Sequence, residues 1–282
     1  MDSREKRYEN TLCSLGIARD ISRQHILWWT MILVRRLLLC AILLAPYALV
    51  AQSPVEQACA AFDQAIERMD LRTAKATLTG LQSPASNAYD VLYRMARLHV
   101  LLGNDERNEQ QQLALYEKAL DYGNRAIAAN AKGMGGYVYR AAANGKIALF
   151  KGIFSVADVV ARVRDDASQA IRLNNDTPKM LAAAHYILGR AHLNLAKKPK
   201  LFRSPLGLGW GSIDEAFRNL KRARELRPGF IMFELEYANC LAEMDDDNGA
   251  IAHARTIAGM RNQEPGDPQR KQDALELIKD LE

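Results

Sequence analysis

Three stretches of the 282-residue chain carry residue types that chemistry uses. Gly207-Leu208-Gly209-Trp210-Gly211, just ahead of a predicted helix, resembles a phosphate cradle, because glycines let backbone amides converge on an anion at a helix start. No predicted strand precedes it and no lysine follows in P-loop spacing, so it reads as a flexible loop. His185 and His192 share one face of a predicted helix but lie about 10 Å apart along its axis. They cannot share a metal, and both sit where large packing residues are expected, so they read as core histidines. Asp245-Asp246-Asp247 reads as a solvated turn between helices. No Ser/His/Asp set, Cys-x-x-Cys or paired-carboxylate arrangement stands out. The sequence therefore predicts no catalytic residue, no metal and no cofactor, and not an enzyme.

More informative are residues that recur. Ala96, Ala143 (with Gly145 competing for its place), Gly189 and Ala238 are small residues on four predicted helices, and the positions three before and one after each repeat in character. They are Tyr93 and Arg97, Arg140 and Asn144, Tyr186 and Arg190, and Leu235 and Asn239. If those helices line a concave wall, the donors face an acidic side chain or the C-terminal carboxylate of an extended peptide. The competing reading makes them ordinary polar residues at solvated or inter-helix places. A second group is basic: Lys197, Lys198, Lys200 and Arg203 with Arg218, Lys221 and Arg222. On the helix after Ser212, Ile213, Ala216, Phe217, Leu220 and Ala223 face inward, which leaves Arg218, Lys221 and Arg222 outside. That patch suits an acidic protein or an anionic membrane surface, against the reading of a solvated outer face.

The elements that must position these residues are helix pairs. Leu188-Gly189 and His192, then Ala216, Leu220, Ala223 and Pro228, have the spacing of a tetratricopeptide (TPR) unit. Gly189 lets a second helix approach within roughly 8–9 Å, and Ala216 and Ala223 supply the small face that meets it. Lys197 to Gly211 is an insertion between the two halves. Ser212 with Glu215 predicts a capping box at the second helix, which Pro228-Gly229 ends.

The rest of the chain extends the pattern. Ala58, Ala61, Phe62, Ala65, Ile66 and Met69 step at helical spacing after Pro54, and with a short helix over Leu71 to Leu81 they read as an N-terminal cap. Pro84 to Asn87 breaks the chain before a helix with Leu92, Met95, Ala96 and His99, whose partner carries Ala119, Gly123 and Ala126. Between them the polar segment Asp105 to Gln112 reads as a second long connection. The next unit runs from Tyr137 to Lys151, with a partner centred on Ala167 and Ala170 and ended by Asn174 to Pro178. Ala238, Ala250, Ala254 and Ile257 form the last unit, closed by Pro265 to Pro268, and Arg270 to Leu281 reads as a C-terminal cap. The expected fold is all-α: a right-handed TPR-like solenoid of about four helix pairs with capping helices.

Charge and the front end bound the function. The net charge is +5, but residues 1–51 hold seven Lys/Arg against four Asp/Glu, leaving 31 against 29 in the remainder. A globally basic nucleic-acid binder is not indicated. Met31 to Arg36, the apolar run Leu37 to Val50 and the exit Ala51-Gln52 have the three parts of a secretory signal. This predicts export, to the periplasm or medium, with cleavage after Ala51; the alternative keeps residues 31–51 as a membrane anchor. Residues 1–30 read as an upstream extension, with Met31 the true start, and 52–282 as the repeat domain. Lipidation at Cys40 is not expected, since the preceding residue is not small. Cys59 and Cys240 lie at opposite ends of the repeats and read as buried free thiols rather than a disulfide.

The order of features resembles a known family, the regulator of microtubule dynamics proteins. The likeness rests on Leu92-Tyr93-Arg94-Met95-Ala96-Arg97, on Leu188-Gly189-Arg190, and on the insertion with Leu201-Phe202, Pro205 and Gly207. It continues through Glu215-Ala216, Lys221-Arg222-Ala223, Glu225-Leu226 and Pro228-Gly229, covering about residues 88 to 282. The resemblance implies a non-catalytic adaptor, associated in eukaryotic members with microtubules and with mitochondrial or other organelle membranes. The export signal departs from that pattern, and if it works in a bacterial cell, tubulin is not the partner. The expected function is a scaffold that binds a peptide or protein, acidic in character, in a concave groove. A small-ligand carrier or an enzyme using that groove is the rival reading.

Overall fold

The computed structural model describes residues 52–81, 84–152 and 154–282. The expectations for residues 1–51, namely the upstream extension, the export signal or anchor, and the exit after Ala51, lie outside the described residues. Residues 52–282 form one compact unit.

Twelve α-helices follow one another among the described residues, in antiparallel pairs. The first pair is α1 (Pro54–Glu67) and α2 (Leu71–Thr79). The next two are α3 (Tyr89–Asp105) with α4 (Glu109–Ala129), and α5 (Met134–Lys151) with α6 (Ala157–Leu173). Then α7 (Pro178–Ala196) pairs with α9 (Ile213–Leu226) across an insertion that holds the four-residue α8 (Lys200–Arg203). Finally α10 (Ile231–Ala242) pairs with α11 (Asp247–Ile257), and α12 (Asp267–Leu281) packs on both.

Local sequence explains the ends. Ser53, Asp70, Asn108, Thr177, Ser212 and Asp246 each accept a hydrogen bond from an amide in the first turn of the following helix, satisfying donors that no helical carbonyl reaches. At Ser212 only half of the expected capping box forms, since Glu215 pairs with Arg218 instead. Asp246 is the cap within the acidic run, which is a turn between α10 and α11. Asn174, in the left-handed region, ends α6 where the terminator was read.

Two expectations are corrected. Asp105 to Gln112 is not a long connection, because α3 runs to Asp105 and α4 begins at Glu109. Asn108 caps α4 through Gln111, and the Glu-Gln-Gln-Gln run is its first turn, filled with good helix formers. The insertion after α7 is also no flexible loop. Leu208 is fully buried, and Arg203, read as part of a surface patch, is itself buried. Its Nε donates to the Lys198 carbonyl at 3.1 Å, and its Nη1 faces the carbonyls of Leu208, Gly209 and Gly211 at 3.1–3.2 Å.

The core is a chain of apolar clusters along the stack. One joins α7, α9 and α10 through Leu193, Leu220, Phe230 and Phe233. Another joins the first two pairs through Phe62, Leu78, Val91 and Leu98. Cys59 and Cys240 are buried and free. Burial pushes both thiols up, Cys240 to about 11.

Candidate functional site

The inner faces of α3, α5 and α7 enclose a cavity of about 880 Å³. It is walled at one side by Asp63 and Glu67 from α1, and at the other by Arg227 after α9 and by Arg261 to Glu264 ahead of α12. At its rim Glu67 and Lys179 form an ion pair of 3.1 Å between the first helix and α7. The concave surface is therefore a partly open cavity whose lining includes residues from both ends of the repeat array.

Four of the seven groove candidates line it. Tyr93 stacks parallel to Tyr139, with ring centroids 6.2 Å apart, and Tyr186 stacks on Phe233 at 4.9 Å. Arg97 reaches Asp63 at 3.7 Å, but that carboxylate is already held by Arg94 at 2.7 Å, so two guanidinium groups share one charge. Arg190 donates to the Tyr186 hydroxyl at 3.2 Å and lies 3.5 Å from Glu236. It is the buried Nε that faces Glu236, too far for a well-formed hydrogen bond. The Tyr186 oxygen and Glu236 hold that guanidinium charged, above its ordinary pKa, and burial pushes the Tyr186 hydroxyl up to about 12.

The other three lie elsewhere. Arg140 pairs with Asp166 on α6 at 2.6 Å and donates to Asn124 on α4, and Asn144 is buried outside the cavity lining. Ala143, taken as the reference for that helix, packs with Val100 and Ala119 instead. One residue turns a helix by about 100°, so Tyr139, Ala142 and Lys146 take the inward places. In the last pair, Leu235 packs in a cluster with Ala254 and Ala274, where α12 covers the face that earlier helices leave open. Asn239, half-buried, is also outside the lining.

Lys146 is the residue that sequence reasoning missed. It faces the cavity, 6.0 Å from the centre of the Tyr116 ring, and makes no ion pair or hydrogen bond among the described residues. The residue is half-buried, and the surrounding protein desolvates its amine. That burial, together with Arg190 and Arg270, pushes the amine down to about 7. Arg227 is a second addition, its guanidinium 3.4 Å from the centre of the Phe230 ring and 3.4 Å from the Gln263 side-chain oxygen, with Glu264 and Asp267 near enough to act on its charge. In all, the lining holds seven Lys/Arg against four Asp/Glu. A Lys in the apolar neighbourhood Ala141 to Ile147, seven residues after Tyr139, was the available signal.

The remaining candidates fall into place as structure. His185 Nδ1 lies 2.9 Å from the Asn219 side-chain oxygen, and His192 packs edge-on against Trp210 at 4.9 Å. Burial holds both imidazoles below their ordinary pKa. Among the described residues no group of three or more His, Cys, Asp or Glu is placed to hold a metal. In the basic patch Arg218 pairs with Glu215, Arg222 with Glu225 and Lys197 with Glu243. Lys198, Lys200 and Lys221 are exposed.

The regulator of microtubule dynamics protein 1-3 family matches residues 58–282, four-fifths of the chain. The chain belongs to that family. Within solved structures, this regulator of microtubule dynamics family member is similar to a thermophilic TPR protein of Thermus thermophilus, with a TM-score of 0.54 at 18% identity, over 78% of this chain and 98% of that one. Two MamA structures cover 78% and 79% of this chain and 95% and 94% of their own, at 16% and 14% identity and TM-scores of 0.38 and 0.39. No curated protein matches the chain. The Thermus likeness shows that the family domain here has the TPR-like fold.

Proposed function

We propose that the family domain is a non-catalytic binding scaffold that takes the acidic end of a protein partner into its cavity. The observation that carries this reading is the presence of Arg97, Lys146, Arg190 and Arg227 around one aromatic-walled space, where basic side chains outnumber acidic ones. A ligand carboxylate would meet that excess of donors, and the stacked tyrosines would cover apolar side chains beside it. The cavity gathers cations rather than paired carboxylates, which favours a scaffold over a hydrolytic enzyme. Walls contributed by both ends favour a short terminal segment over a long peptide lying across a groove. The same volume falls in the range of small-molecule sites, so a compact anionic ligand is the second reading.

The charged start and apolar run of residues 31–51 support an exported protein, processed after Ala51, with retention as an anchor the alternative. The test of binding is calorimetric titration of the full chain with a glutamate-rich peptide bearing a free C-terminus, against its amidated form. Arg97→Ala and Arg190→Ala are each expected to weaken it by about tenfold or more, at ~1.5–3 kcal/mol per charge-assisted hydrogen bond, with Arg218→Ala and Lys221→Ala near neutral. If the outer pair matters and the inner pair does not, the cavity reading fails. Native mass spectrometry showing a co-purified small anion would select the second reading.

A further inference from the structure

Nine large apolar side chains are exposed among the described residues, and six of them belong to two short stretches: Leu149, Phe150 and Phe154, then Leu201, Phe202 and Leu206. The two stretches flank one buried cluster. Ala148 at the end of α5 and Val160 of α6 share a cluster with Leu195 and Leu208, and Val156 and Trp210 pack against it. The C-terminal end of α5, the start of α6 and the insertion after α7 thus form one end of the repeat unit.

The exposure is built in. Leu201 is 79% exposed and Phe202 64%, yet both sit on α8, one turn of helix tied down by the buried Arg203 and its four carbonyl partners. Leu208 anchors the far side. A loose loop would fold two such side chains inward; this one holds them out. Contiguous exposed apolar surface rimmed by charge marks an interaction site.

Charge selects the partner. Residues 197–211 contain no Asp or Glu, and neither do 144–156. Lys197 and Lys151 are each paired, with Glu243 and Glu117, while Lys198 and Lys200 have no carboxylate partner among the described residues. We infer that this end of the unit docks on an anionic lipid surface, with Leu201 and Phe202 entering the acyl boundary and Lys198 and Lys200 meeting headgroup phosphates and carboxylates. Bulky apolar tips beside unpaired lysines match the layering of such an interface, apolar below and negative above. The patch adjoins the cavity at Leu149, but its lipid contacts use Leu201, Phe202, Lys198 and Lys200, none of which lines that space.

Hydrogen exchange of the full chain tests it, because the readout is local and a contribution from residues 31–51 to vesicle binding does not enter it. On vesicles of phosphatidylcholine with phosphatidylserine, amides of 198–206 and 149–155 are expected to slow, while those around Met69 and Leu275 stay unchanged. Leu201→Ser with Phe202→Ser should remove the protection and weaken that local binding by at least about tenfold. Lys198→Glu with Lys200→Glu should do the same through charge. No slowing at these amides overturns the proposal, and so does equal slowing on phosphatidylcholine alone. Protection that grows with protein concentration in the absence of lipid also overturns it, since the patch would then be a contact between two copies of the chain.

Discussion

Gly189 of α7 touches Leu220 of α9 so closely that a Cβ on the glycine would stand 2.8 Å from Leu220 Cγ and 3.0 Å from its amide nitrogen. The amide is backbone and cannot rotate away, so any side chain here must part the two helices. Gly189→Leu is expected to cost at least ~1–3 kcal/mol as overpacking. Gly145, on the equivalent helix of the preceding pair, has nothing within 4 Å of its Cβ position. Gly145→Ala should instead gain about 0.5–1 kcal/mol from the lost backbone freedom of the unfolded chain. Urea denaturation of both variants checks the contrast, and equal midpoints would mean that the helix register is misread.

Arg140 supports the stack rather than the cavity. Asp166 opposite it is 7% exposed and would be left buried and uncompensated by Arg140→Ala. The expected loss is roughly 3 kcal/mol, read by chemical denaturation, with peptide binding unchanged at temperatures where the variant is folded. Binding lost without loss of stability would return Arg140 to the groove.

Lys146 should give stability a pH dependence of defined sign. Its amine titrates at about 7 in the folded protein and near about 10.4 when unfolded. Between those values the unfolded chain holds a proton that the folded chain releases, so this group makes stability rise with pH through that window. Below about pH 7 both states are protonated, and the penalty for the buried charge is constant. Lys146→Met removes the penalty. Its advantage over the wild type should be roughly 2–4 kcal/mol at pH 7 and shrink toward zero as pH approaches 10. Denaturation midpoints at a series of pH values decide it, and a difference independent of pH would place the amine in water.

Arg203 should behave as a structural residue despite its charge. Arg203→Lys keeps the charge but lacks the planar fork that spans several carbonyls. We expect a loss of about 2–3 kcal/mol and faster hydrogen exchange over 198–211. Full rescue by lysine would show that charge, rather than hydrogen bonding, holds the insertion.

The fold was legible where packing demands small residues at fixed steps. Gly189, Ala216 and Ala223 announced the α7/α9 pair, and the Pro and Asn terminators marked most ends. The same rule misplaced α5, because Ala141, Ala142 and Ala143 are consecutive and any of them could serve as the reference. Ala143 as the reference selects Arg140 and Asn144, whereas Ala142 would have selected Tyr139 and the competing Gly145 would have selected Lys146. Arg203 was misread because a guanidinium satisfied by backbone carbonyls leaves no complementary acid in the sequence. The far wall of the cavity left no periodic trace at all, since Arg261 to Glu264 form an irregular segment brought there by α11 and α12.

Walls drawn from both ends change what repetition means in this chain. An open helical array can lose or gain a unit and keep a working stretch in the middle. Here Asp63 on the first helix and Glu264 before the last face one space, so removing a terminal pair would take away a wall rather than shorten a groove. Repeat number is then tied to the cavity, and members of such an architecture should diversify by altering side chains and insertions while keeping the count of helices constant.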